Sequence, residues 1–159
     1  MLNDEFVRKR LLLRLVLLFF IAIWFLGIII PCFNFDLTKT FYPFQKQIYS
    51  TVCHQNINKS FNYNNVPFLV CARCTGIYTG ALISALVIIF YSKQFVFKTN
   101  YLIMLAAPML LDVILLNFGA YNYNHALSAI TGLLFGSSVF LYILSAIENL
   151  LFSKSKNNK

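Results

Sequence analysis

Apolar residues run along this chain in four long, nearly charge-free stretches, each about the length a helix needs to cross a bilayer core, roughly 20 residues for about 30 Å. The first covers residues 11–30, carries Arg14 as its single charge and stops at Pro31. The second covers 75–91, the third 101–118 with Asp112 inside it, and the fourth 127–147. Arg14 lies one turn inside the first stretch, so its long side chain is expected to extend its head to the interface. The pattern predicts an all-α membrane protein, a single integral membrane domain over residues 1–159 with four transmembrane helices. An even number of spans leaves both termini on one side.

The segment from Cys32 to Cys74, the long loop between the first two spans, mixes polar and apolar positions. Pro43 suits the first turn of a helix, and Phe44, Ile48 and Val52 then recur every four residues with Tyr49 beside them. That stripe predicts a short amphipathic helix lying in the interface. Asn62, Asn64 and Asn65 mark a turn-rich stretch before the chain re-enters the membrane near Val70.

Composition agrees with a bilayer as solvent. Hydrophobic residues make up 59% of the chain and charged residues 11%, against about 45–50% and about 25% in soluble domains. That excludes a disordered chain and argues against a soluble globule. The net charge of +8 would point to nucleic acid only if the basic residues formed a face. They sit instead at the chain ends and between the apolar runs: Arg8, Lys9 and Arg10 before the first, Lys93 and Lys98 between the second and third, Lys154, Lys156 and Lys159 after the fourth. Retention of Lys and Arg in the cytoplasm then predicts a multi-pass protein of the plasma membrane with both termini cytoplasmic. The uncharged connection 119–126 and the segment 32–74 fall outside, the latter with Lys39, Lys46, Lys59 and Arg73 diluted over its length. The first apolar run is too long for a removable signal peptide and lacks a small-x-small site after it, so it reads as a retained anchor.

Two cysteine motifs fall on that outer face: Cys53-His54-Gln55 near the end of the interfacial helix, and Cys71-Ala72-Arg73-Cys74 at the start of the second span. The positive end of the helix macrodipole and Arg73 both favour thiolate over thiol in such a CxxC, and a thiolate either attacks a disulfide or ligates a soft metal. His54, and His125 from the turn between spans three and four, bring imidazoles to the same surface. Cys53, His54, Cys71, Cys74 and His125 are therefore the candidate ligands for zinc or another soft divalent ion, although neighbours such as Cys53 and His54 rarely hold one ion together. No cofactor is established by these residues alone. Four readings stay open: a structural disulfide from Cys53 to Cys71 or Cys74, a metal site, a thiol oxidoreductase coupled to a quinone, and inert thiols. The redox reading needs a second pair, with Cys32 as the partner of Cys53.

Asp112 is costly inside a span and needs a partner or a wet cavity. Arg73 enters from the same side, so an intramembrane Arg73–Asp112 pair is expected, joined through Tyr78 or His125. Its role is either packing or a proton or ion site coupled to the cysteines. Pro108, four residues before Asp112, removes one helical amide there. The second and fourth spans also carry small residues at every fourth place, with Gly76 and Gly80 in one and Gly132 and Gly136 in the other. Such stripes let backbones approach closely in lipid, which makes these two spans the expected centre of the bundle.

The run Cys53-His54-Gln55, then Ser60-Phe61, then Cys71-Ala72-Arg73-Cys74-Thr75-Gly76-Ile77-Tyr78-Thr79-Gly80 resembles the signature of a family of small bacterial and archaeal membrane proteins of unknown function. The resemblance extends over roughly residues 50 to 140 and takes in Pro108, Asp112 and Thr131-Gly132. Lys59 stands where that family usually has an arginine, which keeps the charge and loses a bidentate donor. The resemblance implies a multi-span membrane protein and no established activity. Two functional classes follow: an outward-facing metal-binding or disulfide-stabilised site used in binding, sensing or transport, and a quinone-coupled thiol oxidoreductase. The lipid bilayer is the expected partner, with a second copy or another membrane protein beside it, and nucleic acid is not.

Overall fold

The computed structural model describes residues 2–32, 36–63, 66–91 and 96–153. Asn64, Asn65, Lys93, Lys154, Lys156 and Lys159, which entered the turn and charge arguments, lie outside the described residues. Helix α1 covers Leu2–Ile29 and ends in a 3-10 turn at Ile30–Cys32, where Pro31 cannot continue the helix. Helix α2 covers Asp36–Ser50, strands β1 and β2 cover Ser60–Tyr63 and Val66–Cys71, and helices α3, α4 and α5 cover Ala72–Ile89, Thr99–Asn117 and His125–Ser153. Four segments are long and apolar enough to cross a membrane: Val7–Cys32, Ala72–Ile89, Thr99–Asn117 and His125–Leu151. The chain is a four-span membrane protein, and it leaves large apolar side chains exposed, such as Phe19, Phe20 and Ile23 on α1.

The centre of the bundle is the pair α3 and α5. A Cβ on Gly76 would strike the Ala129 carbonyl oxygen, and one on Gly80 would strike that of Leu133. In return, Gly132 lies against the Arg73 carbonyl and Gly136 against that of Ile77. These contacts are to backbone, which cannot rotate away as a side chain could. Ser137 adds an interhelical bond, its hydroxyl donating to the Gly80 carbonyl at 3.1 Å. Burial of apolar surface gives helices little reason to associate in lipid, so close packing and such hydrogen bonds carry the association. Helix α1 packs on this pair through Leu17, Leu18 and Ile21 against Ala85, Ile88, Phe140 and Leu144. Helix α4 lies at the edge, and Asp112 is its one buried residue among those described.

Over the end of the bundle that holds the C-terminus of α1 sit α2 and the β-hairpin. Tyr49 is the buried residue of α2 that ties them down: its hydroxyl donates to the Trp24 carbonyl at 2.7 Å and lies where a Cβ on Gly27 would be. Two expectations change here. Pro43 is internal to α2, seven residues after its start, and not in the first turn. The expected stripe also divides, because Tyr49 turns inward while Phe44 and Val52 stay exposed. The segment expected only to turn and re-enter forms an antiparallel hairpin instead. Ser60 pairs with Cys71 and Tyr63 with Val66, with an irregularity between Ser60 and Asn62. Leu69 and Val70 of β2 bury their side chains in the same apolar cluster as Ile28 and Tyr49.

Candidate metal centre

Strand β2 runs directly into α3, and this junction sets the spacing of the site. Cys71 is the last residue of β2 and the N-cap of α3, with extended backbone (φ −66°, ψ 162°), and Cys74 lies three residues on, in the first turn. An i, i+3 pair shares one helix face. The third thiol arrives from the far side of the loop. Cys53 follows α2, its amide continuing the last turn by donating to the Tyr49 carbonyl at 3.0 Å. The chain then reverses at Gln55, whose φ of +48° lies in the left-handed region. Gln55 holds that reversal by donating from Nε2 to the Lys46 carbonyl at 2.9 Å.

These elements bring the Sγ atoms of Cys53, Cys71 and Cys74 within 4.8 Å of one another. All four cysteines of the chain are free thiols. The Cys71 amide donates to the Cys53 sulfur at 3.2 Å. Donation from the Cys71 and Cys74 thiols, more than this amide, holds the Cys53 thiol well below its ordinary range, against the opposing effect of burial. Cys53 is thus disposed to carry thiolate, which is the form that ligates metal. The triad lines a cavity of about 360 Å³ that His54, Lys59 and Arg73 also line.

The histidines stand apart from the sulfurs. His54 borders the cavity with its side chain exposed. His125 opens α5 and packs its ring against Tyr123, at 5.1 Å between centroids, and Phe61, at 5.9 Å. Neither belongs to the group of three ligand atoms. Cys32 is buried elsewhere, its sulfur 4.0 Å from the Val66 carbonyl.

Arg73, between the two cysteines of the CxxC, turns its guanidinium to Asp112, with Nη2 to Oδ2 at 2.5 Å. Among the described residues, the hydrogen bonds to the Asp112 carboxylate come from Arg73, Tyr121 and Ser128, not from Tyr78 or His125, which were expected to join the pair. The Tyr121 hydroxyl donates to Oδ1 and the Ser128 hydroxyl to Oδ2 at 3.3 Å. The hydrogen bond that Tyr121 donates to Asp112 raises its phenol above its ordinary value, because a phenolate would lose that bond and face the carboxylate's charge. Tyr78 instead lies near Trp24, with ring centroids 6.3 Å apart, and borders an apolar groove with Phe20 and Ile77. Lys59, which also lines the cavity, is held by Tyr123: the Tyr123 hydroxyl donates to the Lys59 carbonyl at 3.1 Å, and the Lys59 ammonium lies 5.4 Å from the Tyr123 ring centre. Tyr121 and Tyr123 were missed in the sequence because their partners lie in other elements, and Gln55 was read only as part of the Cys-His motif, without its bond to Lys46. Their nearness to Asp112 and to the Cys-His motif was the one available signal.

A second ion pair, at the other end of the bundle, corrects the reading of Arg14. The side chain does not reach the interface: it is 3% exposed and pairs with Glu148, which is 0% exposed. Nε donates to Glu148 Oε1 at 2.7 Å and Nη1 to the Ile88 carbonyl at 2.8 Å, with Tyr91 O as a further acceptor. Arg10 comes to 3.9 Å from the other carboxylate oxygen. Ending the fourth span at Ile147 hid this partner, because α5 continues with Glu148 still facing inward.

A family model described as "Predicted membrane protein (DUF2085)" matches residues 53–142, beginning at the first cysteine of the triad. An uncharacterized protein of Methanocaldococcus jannaschii is 37% identical over 95 residues, which cover 58% of this chain and 61% of that protein. An uncharacterized protein of Methanothermobacter thermautotrophicus is 31% identical over 86 residues, 54% of this chain and 78% of that protein. The chain thus spans 61% of the length of the first of these relatives. No solved structure matches it.

Proposed function

We propose that this chain, which belongs to the DUF2085 family of membrane proteins, holds a soft divalent metal of the zinc class on Cys53, Cys71 and Cys74, in the service of binding, sensing or transport at the outer face of the plasma membrane. The observation that carries this reading is the convergence of three sulfurs within 4.8 Å. A disulfide would consume two of them and strand the third. A two-pair redox relay would need Cys32, whose sulfur points away to Val66. The thiolate-favouring surroundings of Cys53 and the N-terminal position of the CxxC on α3 suit a ligand set of thiolates. The outer placement follows from Arg8, Lys9, Arg10 and Lys98, which the positive-inside rule keeps in the cytoplasm together with both termini.

Metal analysis of protein purified without chelator, beside a count of free thiols, tests the site. The expected result is about one metal ion per chain, lost in Cys71→Ser and in Cys74→Ser. A metal-free protein with two of the three thiols oxidised would replace this reading by the structural disulfide. Orientation is tested with an impermeant maleimide on intact cells, using variants with one cysteine each. Cys53 should label from outside, and a cysteine introduced at Ser153 only after lysis. The reverse pattern would put the triad in the cytoplasm.

A further inference from the structure

We infer, on the basis of the metal reading, that the triad is an open coordination site whose remaining position takes an anionic oxygen donor, a carboxylate or phosphate group, from solution or from a lipid headgroup. Zinc-class ions take four ligands, and structural sites supply all four from the protein. Here three sulfurs converge, and no fourth Cys, His, Asp or Glu ligand atom joins them among the described residues. The sulfurs face a cavity of about 360 Å³, far above the roughly 15 Å³ that one water needs.

The cavity wall is chosen for an acceptor. Arg73 commits Nη2 to Asp112, yet its Nε is buried and has no acceptor among the described residues. Arg73 also lines the cavity, and a guanidinium is the favoured partner of a carboxylate or phosphate oxygen. Charge points the same way. Three thiolates and a divalent cation sum to one negative charge, which alone would repel an anion, and Lys59, which lines the same cavity, offsets it. That ammonium is held near the Tyr123 ring, and Tyr123 fixes the Lys59 backbone. The site lies at the end of the bundle where α3 leaves the membrane, within reach of both soluble anions and lipid headgroups.

Cobalt-substituted full-length protein in phosphatidylcholine nanodiscs tests this, because cobalt shows both its thiolate ligands and any change in the fourth. Acetate and inorganic phosphate are each expected to shift the ligand-field bands saturably while the thiolate-to-cobalt bands persist. Arg73→Lys keeps a cation beside Asp112 but loses the planar guanidinium fork. It should bind cobalt at the same stoichiometry and weaken the anion response about tenfold, the loss of one charge-assisted hydrogen bond. The same band shift in phosphatidylglycerol nanodiscs, without added anion, assigns the donor to the lipid headgroup; a shift only with added anion assigns it to solution. Bands that ignore acetate, phosphate and phosphatidylglycerol overturn the inference and leave the metal reading intact. So does a ligand-field shift on His54→Ala, which would make the fourth ligand the protein's own. An equal anion response in Arg73→Lys overturns the assignment to this cavity. Missing thiolate-to-cobalt bands would remove the metal reading and this inference together.

Discussion

Each end of the bundle holds one arginine–carboxylate pair inside the apolar region, and the two are built differently. Arg14 and Glu148 are sealed: neither exceeds 3% exposure, and the guanidinium also donates to backbone carbonyls at the end of α3. Arg73 and Asp112 are sealed on one side only. The carboxylate is 2% exposed and engaged by Arg73, Tyr121 and Ser128, while the arginine is 18% exposed, lines the cysteine cavity and has no acceptor for Nε among the described residues. Both arrangements neutralise charges that lipid would penalise. The first joins α1 to α5 and spends its donors on structure, whereas the second joins α3 to α4 and leaves a donor for something else.

Breaking the sealed pair should cost the most. Glu148→Ala leaves Arg14 buried without its counterion and is expected to destabilise the bundle by about 3–5 kcal/mol, the range for an orphaned buried charge. Combining Glu148→Leu with Arg14→Met should recover most of that loss in thermal unfolding in detergent. Failure of the double variant to recover would mean that Arg14 owes its stability to the Ile88 and Tyr91 carbonyls.

Gly136→Leu comes next. Its side chain must enter the Ile77 carbonyl across the α3–α5 contact, and overpacking of that kind costs about 1–3 kcal/mol. The same measurement on Leu86→Phe, at an exposed position of α3, should show little change. Equal effects would argue that α3 and α5 separate easily.

Asp112→Asn should cost less than Glu148→Ala, about 1–2 kcal/mol, because water reaches Arg73 and part of its charge is already solvated. Adding Arg73→Gln should return much of it. An interaction energy near zero in this double-mutant cycle would remove the pairing from the stability of the fold.

The smallest effect is a pH dependence. The Tyr121 phenol is raised in the folded state by Asp112. Its contribution is therefore complete below the unfolded phenol value, about 10, and is lost as pH rises through the higher folded value. Comparing the unfolding temperatures of the parent and Tyr121→Phe across this alkaline range isolates it. The difference should shrink as pH rises, and a constant difference would place Tyr121 outside the carboxylate's field.

The amphipathic loop shows where reading the chain succeeds and where it stops. A helix was legible from its four-residue period, yet Pro43 was misplaced in it, since a proline within a helix costs one amide and tertiary contacts can carry that cost. The hairpin was not legible. Val66-Pro67-Phe68-Leu69-Val70 reads equally as the start of a span, and only its pairing with residues 60–63 makes it a strand. Cys71 reaches Cys53 because of that pairing. The motifs marked five candidate ligands, and the fold brought together the three sulfurs while turning His125 toward Tyr123 and Phe61.

What the sequence determined by itself was whatever the bilayer enforces locally: the presence and approximate extent of four apolar runs, the stop of the first at Pro31, and the small-residue stripes of the second and fourth spans. A membrane acts on each stretch of 20 or so residues separately, so a linear scan suffices. What only the tertiary structure decided was the pairing of its few polar groups. Arg14 finds Glu148 across 134 residues and Arg73 finds Asp112 across 39. A buried charge must have a partner, but its own neighbours in sequence do not say which one, because the partner is set by how helices pack and how far each continues inward.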